Sequence, residues 1–185
     1  MTGYRIGYSC APLRMSKAIS KLQSQITSCA SSISQHAAHF ALTTMPLTNP
    51  GWMAERVEEL QVKRDLAYTL LHSIPGVTCP KPMGAFYLLP DVSCYYGKKL
   101  PPLSHGTSEL LDPSSSISVV VEGDEGVIVS DSHVLCVQLL RREGVALVPG
   151  EAFGAPSTVR ISYAASSEVI TEAIHRLHKF LISLQ

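Results

Sequence analysis

The chain has 185 residues, of which 45% are hydrophobic, 16% charged and 6% aromatic. That balance suits a folded α/β protein and excludes a disordered polar chain. Fifteen Lys and Arg offset fifteen Asp and Glu with no basic block, so electrostatics gives no reason to expect nucleic acid or a membrane surface as partner.

Tyr4 to Ala11 alternates, with Tyr4, Ile6 and Tyr8 on one side and Arg5 and Gly7 on the other, which predicts a strand ending at Pro12. Met15 to Gln25 reads as a helix. Small residues from Ser28 to Ser34 lead into a second helix ending near Met45-Pro46, and Asn49-Pro50-Gly51 is a turn. A strong helix follows, in which Met53, Val57, Leu60, Ala67, Leu71 and Ile74 recur at three- and four-residue steps, with Leu66 and Leu70 widening the stripe. Glu59 and Lys63 are spaced for an ion pair along it, and Pro75-Gly76 stops it.

Strands and helices then alternate. Gly84 to Leu89 is an apolar strand, and Ser132 to Arg142 is a helix ending at Gly144. Val145 to Val148 and Val159 to Ala164 are strands. Ser166 or Ser167 caps a last helix with Ile170, Ala173, Leu177, Leu181 and Leu184 as its buried stripe. Between Gly97 and Asp131 the texture changes to Pro-Pro, a Ser run and an acidic Gly-rich turn inside ISVVV-EGDEG-VIVS. A surface insertion over about residues 100–130, carrying a hairpin, is the simplest account. There are no internal repeats.

Cys10, Cys29, Cys79, Cys94 and Cys136 are odd in number and widely spaced, which fits free thiols in a reducing compartment better than a disulfide framework. No apolar run approaches the roughly 20 residues that span a bilayer. Residues 1–12 have neither a basic leader before an apolar stretch nor an Arg/Ser-rich amphipathic leader. The expectation is a soluble intracellular protein, with the compartment, cytoplasm or plastid, left open.

Two arginines stand out because each lies between apolar neighbours on a strand: Arg5 in TGYRIGY and Arg160 in TVRISYAAS. A guanidinium fork so placed suits a carboxylate or phosphate. The alternative is a structural arginine paired with a protein carboxylate, and neither residue alone identifies a reaction. His36/His39 and His175/His178 are helical pairs with no third ligand beside them; helix-surface positions are expected, and no metal site. Tyr95-Tyr96 are expected to pack or to cover a cleft mouth.

Five blocks taken together point to a family resemblance. MTGYRIGY resembles the segment just after the cofactor lysine in class I aminotransferases of the aspartate aminotransferase type. SKLQSQITSCASSISQHAA resembles that family's following helix and dimer-facing segment. PMGAFY, VALVPGEAFG and VRISYAAS match its small domain in order and approximate spacing. The likeness covers nearly the whole chain except the insertion, and is nearest to the bacterial-type subgroup that includes plastid aspartate/prephenate aminotransferases.

The resemblance implies an α/β, fold-type I transferase dependent on pyridoxal 5'-phosphate (PLP). Residues 1–45 would be the tail of the large cofactor domain, 46–75 a bridging helix, and 76–185 the small domain. The implied enzyme exchanges an amino group between an amino acid, aspartate or glutamate, and a 2-oxo acid, as a homodimer. Arg5 would bind the PLP phosphate and Arg160 the substrate carboxylate. The Schiff-base lysine would lie just upstream of Met1, so no catalytic residue is expected within residues 1–185 and the chain alone is expected to be inactive. Lys17 and Lys21, on the helix after the strand, do not replace that lysine. The other expectations are an inactive truncated product and a carboxylate-binding small-domain module.

Overall fold

The computed structural model describes residues 1–102 and 126–185. They form two compact units, residues 1–57 and 58–185.

The first unit is helical. A 3-10 turn at Thr2–Tyr4 precedes α1 (Leu13–Ile26) and α2 (Ser32–Thr48), and α3 (Trp52–His72) begins here and continues into the second unit. The strand expected from Tyr4 to Ala11 is absent. Arg5 instead turns left-handed at φ 50°, with its N–H bonded to Thr2 O at 3.2 Å. Strand alternation is a side-chain pattern, but a strand also needs ladder partners for its N–H and C=O groups. No strand is described in residues 1–57 to supply them. The Tyr4 carbonyl accepts from Ser34 Oγ at 2.7 Å, a long-range bond that ties this segment to α2. Pro46 lies inside α2, which runs two residues past it before the turn at Asn49.

The second unit contains the core. Its sheet has three short antiparallel strands in the order β1 (Tyr87–Leu88), β3 (Val159–Ser162), β2 (Val148–Pro149). Tyr87 pairs with Ser162 and Val148 with Arg160. Against it pack the later part of α3, α4 (Ser132–Glu143) and α5 (Ser167–Ser183). The α5 stripe is buried as the periodicity predicts: Ile170, Leu177, Leu181 and Leu184 lie in the core with Ile174 and Phe180. Each such side chain contributes about 1.5–3 kcal/mol through burial. The α3 stripe splits. Ala67, Leu71 and Ile74 are buried, whereas Met53 and Val57 are exposed.

Local signals explain the helix ends. The Asp131 carboxylate accepts from Val134 N at 2.8 Å, and Ser166 Oγ accepts from Val169 N at 3.4 Å, each relieving an orphan N–H. Gly144 closes α4 at φ 67°. Arg176, on α5, donates to the Glu143 carbonyl at the same helix end, 3.1 Å away, a cation where the helix dipole favours one. Glu59 and Lys63 form the expected pair at 2.6 Å.

The expected insertion lies largely outside the described residues. Its roots are described: Leu100 N bonds Val127 O and Val129 N bonds Lys98 O, both at 2.9 Å, and Leu100 and Val129 are buried. The described residues on either side of 103–125 are therefore anchored in the core. Among the described residues, no helix is long and apolar enough to cross a membrane.

Candidate functional site

β3 divides its side chains cleanly. Val159 and Ile161 face the core, while Arg160 and Ser162 point to the opposite face. Tyr87, directly across from Ser162, shares that outer face and lies diagonal to Arg160, within reach of long side chains. The result is a cation–π contact: the Arg160 guanidinium carbon lies 4.4 Å from the Tyr87 ring centroid. A second ring, Phe153, lies 4.4 Å from the same carbon. Such contacts stabilise a cation by about 0.5–1 kcal/mol where exposed and more where desolvated.

Phe153 reaches this position through a tight turn, Gly150–Phe153, directly after β2. Gly150 N donates to Thr158 O at 2.9 Å and Ala155 N donates to Gly150 O at 3.0 Å. A Cβ on Gly150 would lie 2.1 Å from Thr158 Oγ1 and 2.4 Å from Ala155 O, so only glycine allows this approach. On the other side, Tyr87 follows Ala85, a non-glycine residue at φ 58°. That left-handed residue shortens the strand expected over residues 84–89 to two residues.

Arg160 is half-buried, and no Asp or Glu pairs with it among the described residues. Two rings contact its guanidinium carbon, and contacts of that kind leave its N–H groups able to donate to a carboxylate. The Arg160 environment therefore has the chemistry of an anion-binding fork. Tyr87 and Phe153 stand within the motif blocks PMGAFY and VPGEAFG, but nothing in those blocks alone marks them as site residues. The available signal was the diagonal relation of an aromatic on one strand to an arginine on the next.

Arg5 lies in the first unit and is exposed, its Nη1 donating to Thr2 O at 3.4 Å. Lys17 and Lys21 are exposed on α1. His36 and His39 are exposed on α2, and on α5 His175 is exposed and His178 half-buried. Among the described residues no group of three or more His, Cys, Asp or Glu is placed to hold a metal. Tyr95 is buried with its hydroxyl donating to Pro75 O at 2.5 Å, and Tyr96 donates to Pro156 O at 2.8 Å. Both hydroxyls tie loops together.

Comparison with known proteins places these residues in context. The family model described as aminotransferase class I and II matches residues 1–177. The chain is 38% identical over 184 residues to an aspartate/prephenate aminotransferase of Cereibacter sphaeroides, covering 100% of this chain and 39% of that protein. It is 38% identical over 185 residues to a bifunctional aspartate aminotransferase and glutamate/aspartate-prephenate aminotransferase of Petunia hybrida, spanning 34% of its length. The crystal structure of an aspartate aminotransferase from Rhizobium meliloti superposes with a TM-score of 0.72 at 36% identity, covering 100% of this chain and 40% of the other. The chain thus spans well under half the length of these relatives.

Proposed function

This chain belongs to the class I and II aminotransferase family, and on that premise we propose that it is the C-terminal part of a PLP-dependent enzyme moving an amino group between an amino acid and a 2-oxo acid. The observation that carries the reading is the Arg160 fork. It is flanked by two rings and lacks a carboxylate partner among the described residues, at the position where the family resemblance expects a carboxylate-binding arginine. Aspartate and glutamate are the amino donors favoured by the names of the similar proteins.

Arg160 binds the substrate α-carboxylate through two parallel N–H donors. Charge-assisted contacts of this kind contribute about 1.5–3 kcal/mol and fix the orientation of the bound amino acid. Arg5 holds the phosphate end of PLP. Its exposed guanidinium, with one long bond to Thr2 O, has donors to spare for an anion and fits that group. PLP, when bound, supplies the electron sink that makes loss of the substrate Cα–H proton feasible. Residues 1–45 belong to the cofactor domain, 46–75, within which α3 runs from Trp52 to His72, to the bridge, and 76–185 to the small domain. The whole protein is a homodimer, the assembly that the family resemblance implies. Five free thiols fit a reducing compartment, cytoplasm or plastid.

The test uses the longest protein encoded by the reading frame that contains this chain, purified with PLP. Isotope-labelled aspartate or glutamate should pass its nitrogen to a 2-oxo acid. Arg160→Ala should lower kcat/KM by roughly 10- to 100-fold while PLP stays bound. Arg5→Ala should loosen PLP. Absence of transfer from either donor would sink the activity, and equal PLP loss in the two variants would sink the division of roles.

A further inference from the structure

We infer that Tyr87 and Phe153 are positioning residues that hold the Arg160 guanidinium as an aromatic clamp, leaving its N–H edges to a carboxylate. The inference rests on the carboxylate-binding reading of Arg160 and adds the means by which that fork is held.

Three observations point the same way. First, two rings from different elements meet the same cation: the Arg160 Cζ atom lies 4.4 Å from each ring centroid. Second, these rings are not core filler. The core of the unit includes Val159, Ile161 and Tyr163 on the opposite side of β3, whereas Phe153 is 47% exposed and Tyr87 is outside the core cluster. Phe153 has little burial to justify it beyond its contact with the cation, whereas Tyr87, half-buried, meets both the cation and the Phe86 ring, 4.5 Å away. Third, no acidic side chain pairs with Arg160 among the described residues.

The choice of rings has a chemical reason. A cation at a binding site must be held before the ligand arrives, and a protein carboxylate would hold it by occupying the N–H donors the ligand needs. An aromatic face interacts with the weakly hydrated face of the guanidinium plane and leaves those edge donors untouched. Two rings, one from the strand beside Arg160 and one from the turn after β2, restrict the rotamers of a long side chain. The entropy of ordering it is then largely spent before binding.

The full chain tests this directly by NMR. Its Arg160 δ-CH2 and Nε–Hε protons should lie upfield of unstacked arginine positions, because both rings shift them. Random-coil positions in the unsubstituted chain would overturn the clamp without recourse to any variant. Pyruvate, a 2-oxo monocarboxylate, is then titrated against the Arg160 Nε–Hε signal and the neighbouring β3 amides. Tyr87→Leu and Phe153→Leu keep apolar volume but remove the π face, and each should weaken pyruvate binding roughly three- to tenfold. Tyr87→Phe and Phe153→Tyr keep the face and should bind as the parent does. A role in packing alone predicts the reverse, with the leucine variants binding normally.

If Arg160→Gln abolishes binding while both leucine variants bind normally, the clamp fails and the carboxylate-binding reading stands. If Arg160→Gln binds pyruvate as well as the parent, or the parent does not bind it, the reading beneath the clamp fails and the clamp with it.

Discussion

The hydroxyl of Tyr163 donates to the carbonyl oxygen of Ala85 at 2.9 Å, although the two residues are 78 apart in sequence. Ala85 stands at φ 58°, where an L side chain crowds the backbone. The Tyr163 backbone N–H also reaches Phe86 O at 2.9 Å. One tyrosine thus fixes two successive carbonyls at the bend that delivers Tyr87 to Arg160.

Two substitutions with opposite signs follow from that pair. Tyr163→Phe removes a hydrogen bond whose acceptor is exposed, so a loss of about 0.5–1.5 kcal/mol is expected. Ala85→Gly should instead stabilise by up to about 1 kcal/mol, contrary to the usual effect of adding glycine, because glycine occupies left-handed space without strain. Urea melts of the two variants check this. Destabilisation by Ala85→Gly would show that the bend is not strained.

Amide exchange separates the two ends of the chain. The backbone N–H groups of residues 6–11 meet no backbone acceptor among the described residues, whereas Val159 N bonds Pro90 O and Tyr163 N bonds Phe86 O in the core of the second unit. Fast exchange is expected through Ile6–Cys10, and strong protection in Val159–Tyr163 and the buried turns of α5. Protection at Ile6 or Tyr8 in a monomeric sample would mean the segment has a pairing partner.

These elements also show what was legible in sequence. Helices were, because their signals are local: the α5 stripe repeats every three or four residues, and Asp131, Gly144 and Ser166 mark ends by capping chemistry that needs no distant partner. Strands were less so. The alternation of Tyr4, Ile6 and Tyr8 is a true pattern, but a ladder requires another segment and none is described beside it. GAFYLL reads as one apolar strand because nothing in its composition announces a left-handed alanine. Arg160 was legible from its apolar neighbours and motif. The two rings beside it were not, because their role arises from cross-strand register and from a turn, neither of which a linear pattern contains.

Thiol chemistry should follow burial. Cys10, Cys29 and Cys94 are exposed, while Cys79 and Cys136 are buried. Burial pushes the Cys136 thiol up to about 11. Iodoacetamide at pH 8 should label the first three quickly and the buried pair only as the unit opens. Because its folded pKa is raised, Cys136 favours the folded state fully below its unfolded value near 9, and that contribution is lost as pH rises towards 11. Tyr96, pushed up to about 12 chiefly by burial, adds to the same alkaline loss at higher pH. Cys136→Ala should flatten the fall in stability between about pH 9 and 11. An unchanged slope would remove Cys136 as its source.

The turn that carries Phe153 offers a contrast between two glycines four residues apart. At Gly150 an added methyl would lie 2.1 Å from Thr158 Oγ1, 2.4 Å from Ala155 O and 2.5 Å from Thr158 O. Two of those atoms are backbone and cannot rotate away, and Thr158 Oγ1 already donates to Ala155 O at 2.8 Å. Gly150→Ala must therefore open the turn, breaking the Gly150 N–Thr158 O bond of 2.9 Å. A cost of about 1–3 kcal/mol or more is expected. At Gly154 the constraint is different: φ is 73° and no atom lies within 4 Å of the added carbon. Gly154→Ala should cost only the left-handed penalty, about 1–2 kcal/mol, with the turn kept. Stability alone separates these variants poorly, because the ranges overlap. The Arg160 side-chain shifts separate them well, since Phe153 is three residues beyond Gly150 and its ring centroid lies 4.4 Å from the guanidinium carbon. Gly150→Ala should move those signals toward unstacked values, and Gly154→Ala should leave them near the parent's. Equal movement in both variants would show that the ring is not held by the Gly150 turn.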